Sequence, residues 1–243
     1  MDTSSILDIK KLLSTSKKVV IVPHKNPDGD AMGSTLGLCL YLKKIGHSAT
    51  VIAPNDYPEF LKWIPGNKDV IIHEMDTINS EDLISSADVI FTLDFNALHR
   101  CGEMRTPIAN AKGVKIMIDH HQQPDSYADY VYSDVTMSST CQMVYHFIEK
   151  MEDLNQIDTS IGEALYTGIM TDTGSFKFPL TTDLTHKVVS ELIKKGANGN
   201  QINNLVYDNN SFDRGNNIFY PASFWPHKNH INLLKAFLLL KEE

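Results

Sequence analysis

Asp119-His120-His121 follows directly on the apolar run Val114-Lys115-Ile116-Met117-Ile118. An acid and two imidazoles therefore stand at the carboxyl end of a segment with the branched side chains of a buried strand. Three other segments end in groups of the same kind. Val19-Val20-Ile21-Val22 leads through Pro23 into His24-Lys25-Asn26-Pro27-Asp28-Gly29-Asp30, Val89-Ile90-Phe91-Thr92-Leu93 stops on Asp94, and an apolar helical stretch from Ile161 to Met170 runs into Asp172. Each has a plainer reading alone: a polar turn with an Asx cap, a strand-end cap, a capping Asp beside surface histidines. Their recurrence argues for one site, because the strand ends of an open α/β sheet converge on one crevice. Carboxylates that close cannot all ionise without countercharge. Divalent cations supply it, and carboxylates with a minority of imidazoles suit Mn²⁺ or Mg²⁺ better than a structural zinc site. About six ligands are enough for two ions, and paired ions roughly 3.5–4 Å apart are the usual arrangement for phosphoester hydrolysis.

The elements that must position these groups are legible in order. Ser4 to Leu13 has helical spacing; Val19 to Val22 is a strand ended by Pro23; Ala31 to Lys44 is a helix ended near Gly46; Ala49 to Ala53 is a strand. Short elements follow at Asp69 to His73 (strand) and Ser80 to Ser86 (helix), then the strands at Val89 and Val114. Helices are expected over Ser138 to Met151, Ile161 to Met170, Thr182 to Lys195 and Gln201 to Tyr207. Strands alternating with helices predict an α/β fold, a mostly parallel sheet flanked by helices.

Composition sets bounds. The chain has 243 residues, room for a sizeable core, and its formal net charge of −8 argues against a broad nucleic-acid-binding face. A short anionic substrate stays open, since bound cations reverse the local field. Cys39, Cys101 and Cys141 lie far apart with no CxxC, which reads as buried thiols in a reducing compartment. No basic, apolar leader opens the sequence and no run spans a bilayer, so a cytoplasmic protein is expected, with no membrane partner. His47, His73, His146 and His186 lack partners at ligand spacing and read as structural or surface groups; His99 and Arg100 read as a solvated helix start; Ser138-Ser139-Thr140 reads either as a donor to a phosphate at a helix N-terminus or as a plain cap.

Together, His24-Lys25-Asn26-Pro27-Asp28-Gly29-Asp30-Ala31-Met32-Gly33-Ser34, then Asp94, then Asp119-His120-His121, then Asp172 resemble the four signature motifs of the DHH phosphoesterases, in order and in rough spacing. The resemblance covers residues 1–214. Gly29 and the residues after it are similar to the oligoribonuclease/pAp-phosphatase group, the bifunctional nanoRNase type; manganese pyrophosphatases of the superfamily typically carry threonine at that place. The resemblance implies that His24 and Asp28 hold one Mn²⁺, that Asp30, His120 and Asp172 hold a second, and that Asp94 bridges them. Mg²⁺ is the other candidate ion. Asp119 would orient a ligand histidine, and His121 would face the substrate, so Asp119 and His121 are the expected catalytic pair. Gly29 is expected to let the loop fold back so that both Asp28 and Asp30 reach metal. The helix after Ala31 is expected to aim its N-terminus at the anionic site.

The implied activity is hydrolysis of short oligoribonucleotides or of adenosine 3′,5′-bisphosphate. Cyclic or linear dinucleotide hydrolysis is an alternative on the same site; a metal-binding fragment with little activity is a third reading. The expected partners are short RNA or a nucleotide substrate, with a homodimer as one assembly open to the chain. The expected domains are a catalytic domain over 1–205, a linker-like segment over 206–214 and an atypical tail over 215–243 in place of the family's glycine-rich substrate-binding domain. The tail, Phe219-Tyr220-Pro221-Ala222-Ser223-Phe224-Trp225-Pro226-His227-Lys228-Asn229-His230, resembles a segment of retaining glycosyltransferases. Metals would come from the first domain and substrate capture from the second, so weak turnover is expected of this chain.

Overall fold

The computed structural model describes residues 1–208. The readings placed on the tail, and on the linker beyond Asp208, lie outside the described residues. The order of elements is α1 (Thr3–Leu12), β1 (Lys18–Val22), α2 (Gly29–Lys44), β2 (Ser48–Ala53), β3 (Ile71–Ile72), α3 (Thr77–Ser86), β4 (Val89–Leu93), α4 (Arg105–Asn110), β5 (Val114–Asp119), β6 (Tyr130–Ser133), α5 (Thr140–Lys150), α6 (Thr159–Asp172), α7 (Asp183–Lys194) and α8 (Gly199–Asn203), followed by a π-helical turn at Asn204–Asp208. The six strands lie in the order β3-β2-β1-β4-β5-β6, and every pair is parallel. This is the expected α/β fold.

The strands read as continuous apolar runs because both sheet faces are buried. On β1, Val19 and Ile21 join the larger core with Met32, Leu36, Tyr41 and Phe147, while Val20 and Val22 join the smaller one with Ile84, Ile90 and Ile108. Strand order reverses between β1 and β4, which makes the crevice at their carboxyl ends the place where ligands bind in such sheets. Register brings the ends level. Val22 pairs with Thr92 and Thr92 with Met117, so His24, Asp94 and Asp119 each lie two residues past one transverse row.

The helix pair α2 and α6 carries the remaining acids, and it is packed through glycine. Gly29, Gly33 and Gly37 recur at four-residue spacing along α2; a Cβ on Gly29 would strike the Thr171 side chain, and one on Gly37 would lie 2.7 Å from Leu165 Cδ2. A Cβ on Gly33 would lie 2.5 Å from the backbone oxygen of Ala164. Backbone cannot swing aside as a side-chain tip can. Gly33→Ala is therefore expected to cost about 1–3 kcal/mol in urea unfolding, by forcing the helices apart. An unchanged stability would mean that α2 and α6 do not meet at this distance.

The short elements depart from the sequence reading. β6 was not foreseen: Tyr130-Val131-Tyr132-Ser133 is a four-residue edge strand behind a polar stretch, too short to stand out. α4 has no counterpart in the sequence reading, while the 3₁₀ turn over Leu98–Met104 carries His99 and Arg100, read above as a solvated helix start. β3 has two residues rather than five, and α3 starts at Thr77 rather than Ser80. Among the described residues no helix is long and apolar enough to cross a membrane.

Candidate metal centre

The loop after β1 is held in place before it meets any ligand. Asn26, at φ 55°, donates its amide to Asn55 Oδ1 at 2.7 Å and accepts from Asn55 Nδ2 at 3.0 Å. The Lys25 amide donates to the Arg100 carbonyl at 2.7 Å. Arg100 thus braces the loop through its backbone, while His99 is exposed. Asp94 ends β4 with φ 64°, in the left-handed region where Asp and Asn are the least strained non-glycine residues. Its amide donates to the Ile118 carbonyl at 3.1 Å, which turns the carboxylate across the sheet end.

The carboxylates and imidazoles meet there. His24 Nε2 lies 3.4 Å from Asp94 Oδ2 and 3.9 Å from Asp28 Oδ1. His120 Nε2 lies 3.5 Å from Asp172 Oδ2, 3.6 Å from Asp94 Oδ1 and 3.8 Å from Asp30 Oδ2. Among the described residues three sets offer possible ligand atoms that lie, within each set, no more than 4.8 Å apart: His24, Asp28 and Asp94; Asp30, His120 and Asp172; and Asp94, His120 and His121. Asp94 belongs to two of the three, one oxygen facing His24 and the other His120.

These residues fit divalent cations by their donor chemistry. His24 Nδ1 lies 2.8 Å from the Lys25 carbonyl and His120 Nδ1 3.3 Å from the Met137 carbonyl. A carbonyl can only accept, so each Nδ1 carries hydrogen and each Nε2 is turned to the acids, the arrangement of metal-ligating histidines. The donors are oxygen and nitrogen; the Cys141 thiol donates instead to the backbone oxygen of Asp30.

The electrostatics register the crowding of acids. Burial pushes the Asp30 carboxyl up to about 7 and that of Asp172 up to about 8, and neighbouring carboxylates, Asp94 foremost for Asp30 and Asp30 foremost for Asp172, add to the shift. Burial and Asp94 also raise Asp28. Burial alone would lower both histidines, but Asp94's hydrogen bond and charge hold His24 at about 9, and the charges of Asp94, Asp30 and Asp172 hold His120 at about 9. Asp94 is the exception among the acids: burial opposes its charge, yet His24 and then His120 and His121 hold it well below the usual carboxylate range.

Asp119 is fully buried and takes up His121, not His120: it accepts from the His121 amide at 3.1 Å and from His121 Nδ1 at 2.7 Å. The expectation that it orients a ligand histidine therefore shifts to the neighbouring ring, although His121 also lies within reach of Asp94. Two further expectations change their reason. The N-terminus of α2 is occupied by Asp28, whose Oδ1 accepts the amides of Asp30 and Ala31 at 3.1 Å, so that end is already neutralised. Gly29 has no positive φ; glycine is required there because α6 passes too close for a side chain.

Sequence reasoning places the first turn of α5 but not its contact with the site. Ser139 caps it, accepting the Gln142 amide at 3.0 Å, as expected of a cap. Its free amides go elsewhere: Thr140 N donates to Asp30 Oδ2 at 2.6 Å and Cys141 N to Asp30 Oδ1 at 2.8 Å, while Thr140 Oγ1 donates to Asp94 Oδ1 at 2.9 Å. The other histidines are structural or surface groups. His47 accepts from the Lys17 amide, His73 pairs with Ser80, His146 with Glu149, and His186 lies against the Phe176 ring. All three cysteines are buried and free. A cleft of about 960 Å³ between α3 and α4, lined by His73, Glu81 and Glu103 among others, contains none of the clustered residues.

The chain is similar to the bifunctional oligoribonuclease and PAP phosphatase NrnA of Bacillus subtilis, 29% identical over 206 residues, covering 83% of this chain and 60% of that protein. With the protein of the same name from Thermus thermophilus the identity is 33% over 181 residues, covering 74% of this chain and 50% of the other. The chain thus spans about half to three-fifths of the length of these relatives. Among solved structures, an exopolyphosphatase-related protein from Bacteroides fragilis superposes with a TM-score of 0.85 at 40% identity, covering 86% of this chain and 62% of that one. Residues 18–169 match the model of the DHH family, N-terminal domain. That match takes in more than half of the sequence, from β1 through the Asp119-His120-His121 motif into α6, and the chain belongs to the DHH family.

Proposed function

We propose that this protein is a cytoplasmic, divalent-metal-dependent phosphoesterase that hydrolyses short oligoribonucleotides or adenosine 3′,5′-bisphosphate at a two-Mn²⁺ centre, with residues 1–205 as its catalytic domain. The observation that carries the reading is Asp94, which reaches both the His24/Asp28 side and the His120 side of one cluster. The names of the similar proteins support the substrate class.

His24, Asp28 and Asp94 would hold one ion; Asp30, His120, Asp172 and Asp94 the other. Bound ions supply Lewis acidity, which acidifies water into a nucleophile and neutralises charge on the phosphate. The rest is done by the chain. The carbonyls of Lys25 and Met137 keep His24 and His120 in the tautomer that offers Nε2. Asp119 holds Nδ1 of His121, which leaves Nε2 to meet a phosphate or leaving oxygen and to give it a proton. Asp119→Asn should keep Mn²⁺ affinity while lowering kcat by about 10–100-fold, because the ring loses its anionic partner. Unchanged kcat would remove His121 from the chemistry.

The deciding experiment is Mn²⁺-dependent hydrolysis of a 5′-labelled RNA dinucleotide and of adenosine 3′,5′-bisphosphate, with calorimetric Mn²⁺ titration alongside. Hydrolysis by this chain supports the full reading. Mn²⁺ binding without hydrolysis restricts it to a metal centre whose substrate capture lies outside residues 1–208. No binding and no hydrolysis would sink the metal assignment.

A further inference from the structure

We propose that Thr140 is the positioning residue that joins the two halves of the metal centre, fixing Asp94 and Asp30 in one frame from the first turn of α5. This inference rests on the two-ion reading of the cluster, and it adds a residue that none of the signature motifs contains.

A carboxylate offers about four lone-pair directions over its two oxygens. To bridge two ions it must keep one direction on each oxygen pointed at a different ion. Rotation about the Cβ–Cγ bond defeats this; His24 opposes it at Oδ2, and Oδ1 needs a partner of its own. Thr140 Oγ1 stops it by donating to Asp94 Oδ1 at 2.9 Å, with both residues buried. Oδ1 is thereby kept toward His120, and Oδ2 toward His24. The same residue's amide donates to Asp30 Oδ2 at 2.6 Å, and the next amide, Cys141 N, to Asp30 Oδ1 at 2.8 Å. Asp30 comes from α2 and Asp94 from the turn just after β4, 64 residues apart by their numbers, and one residue of a third element touches both.

A structural reading of Thr140 as a mere cap fails on the geometry. The cap of α5 is Ser139, whose side chain accepts the Gln142 amide. Thr140 Oγ1 is spent on Asp94.

The test compares Thr140→Val, Thr140→Ser and Ser139→Ala with the parent chain. The readouts are Mn²⁺ titration by calorimetry and Mn²⁺ electron paramagnetic resonance, which reports the coupling between two neighbouring ions. Valine keeps the shape and the backbone amide but removes the hydroxyl. The expected result is a 10- to 100-fold weaker affinity for at least one ion and loss of the coupled-ion signal in Thr140→Val. Serine should restore both. Ser139→Ala should lower the melting temperature yet leave Mn²⁺ affinity as in the parent, so loss of helix stability and loss of positioning are read separately. Parent-like affinity and coupling in Thr140→Val would overturn the proposal while leaving the metal centre standing. A parent chain that binds no Mn²⁺ would overturn the metal reading itself, and this inference with it. If Thr140→Val does not fold, the serine variant decides: weakened coupling in a folded Thr140→Ser protein would also count against a role for the hydroxyl alone.

Discussion

Asp94→Asn is expected to weaken Mn²⁺ binding by more than about 100-fold and to bring hydrolysis down by on the order of 10⁴-fold, while the protein keeps its fold. The substitution is chosen for the backbone. Asp94 sits at φ 64°, which asparagine accepts about as well as aspartate, whereas alanine would add strain of its own. The amide side chain can still accept from Thr140, so the packing at the end of β4 is preserved. What is lost is the one acid of the cluster held well below the ordinary carboxylate range. Asp28, Asp30 and Asp172 are all raised, so of these four clustered acids Asp94 is the one whose negative charge is favoured toward both sides of the centre. In the metal-free protein its removal also frees His24 and His120 from their principal counter-charge, and both imidazoles should titrate lower by NMR. A variant that binds two Mn²⁺ as the parent does would mean that the ions, if present, are not bridged by Asp94.

The path from sequence to this site was open in one direction and closed in another. Strand ends could be read because β1, β4 and β5 are apolar runs that stop abruptly, and a parallel sheet in register makes their ends level. His24, Asp94 and the Asp119-His120-His121 run could therefore be assigned to one crevice with no coordinates. What packs across that crevice could not be read. Thr140 meets Asp30 across 110 positions and Asp94 across 46, and a Ser-Ser-Thr run before a helix looks the same whether its amides face water or a carboxylate. Adjacent histidines are equally indistinct in sequence; only side-chain direction shows that Asp119 serves His121. The glycines of α2 occupy an intermediate place. Their four-residue spacing is visible, but its meaning depends on knowing that α6 is the neighbour, and Gly29 is small for the sake of Thr171 rather than for a turn. Edge strand β6 was lost for want of length.

Metal binding is expected to release protons, on the order of three for the pair of ions at pH 7, and the affinity for Mn²⁺ is expected to rise steeply between pH 6 and pH 9. The cluster in its metal-free form holds its charge balance with protons. His24 and His120 titrate at about 9 and Asp172 at about 8, so all three are largely protonated at pH 7, and Asp30, at about 7, is half so. A ligand imidazole must be neutral and a ligand carboxylate ionised, so each ion displaces protons that the fold has gathered. The linkage to stability runs the same way. For His24 and His120 the folded value lies above the ordinary 6.5, so their contribution is fully present below about pH 6.5 and is lost as pH rises through about 9. For Asp30 and Asp172 the folded values lie above the ordinary 3.8, and what they contribute at low pH is lost as pH rises through about 7 to 8. Asp94 has the opposite sign, but its window lies below the ordinary carboxylate range and does not enter between pH 6 and 9. The metal-free protein should therefore melt at progressively lower temperature from pH 6 to 9, while the rise in melting temperature on adding Mn²⁺ should grow over the same interval. Calorimetric titration in two buffers of different ionisation enthalpy measures the released protons directly. An apparent enthalpy that does not depend on the buffer would show that the acids and imidazoles do not carry those protons, and the charge balance drawn for the empty cluster would have to be abandoned.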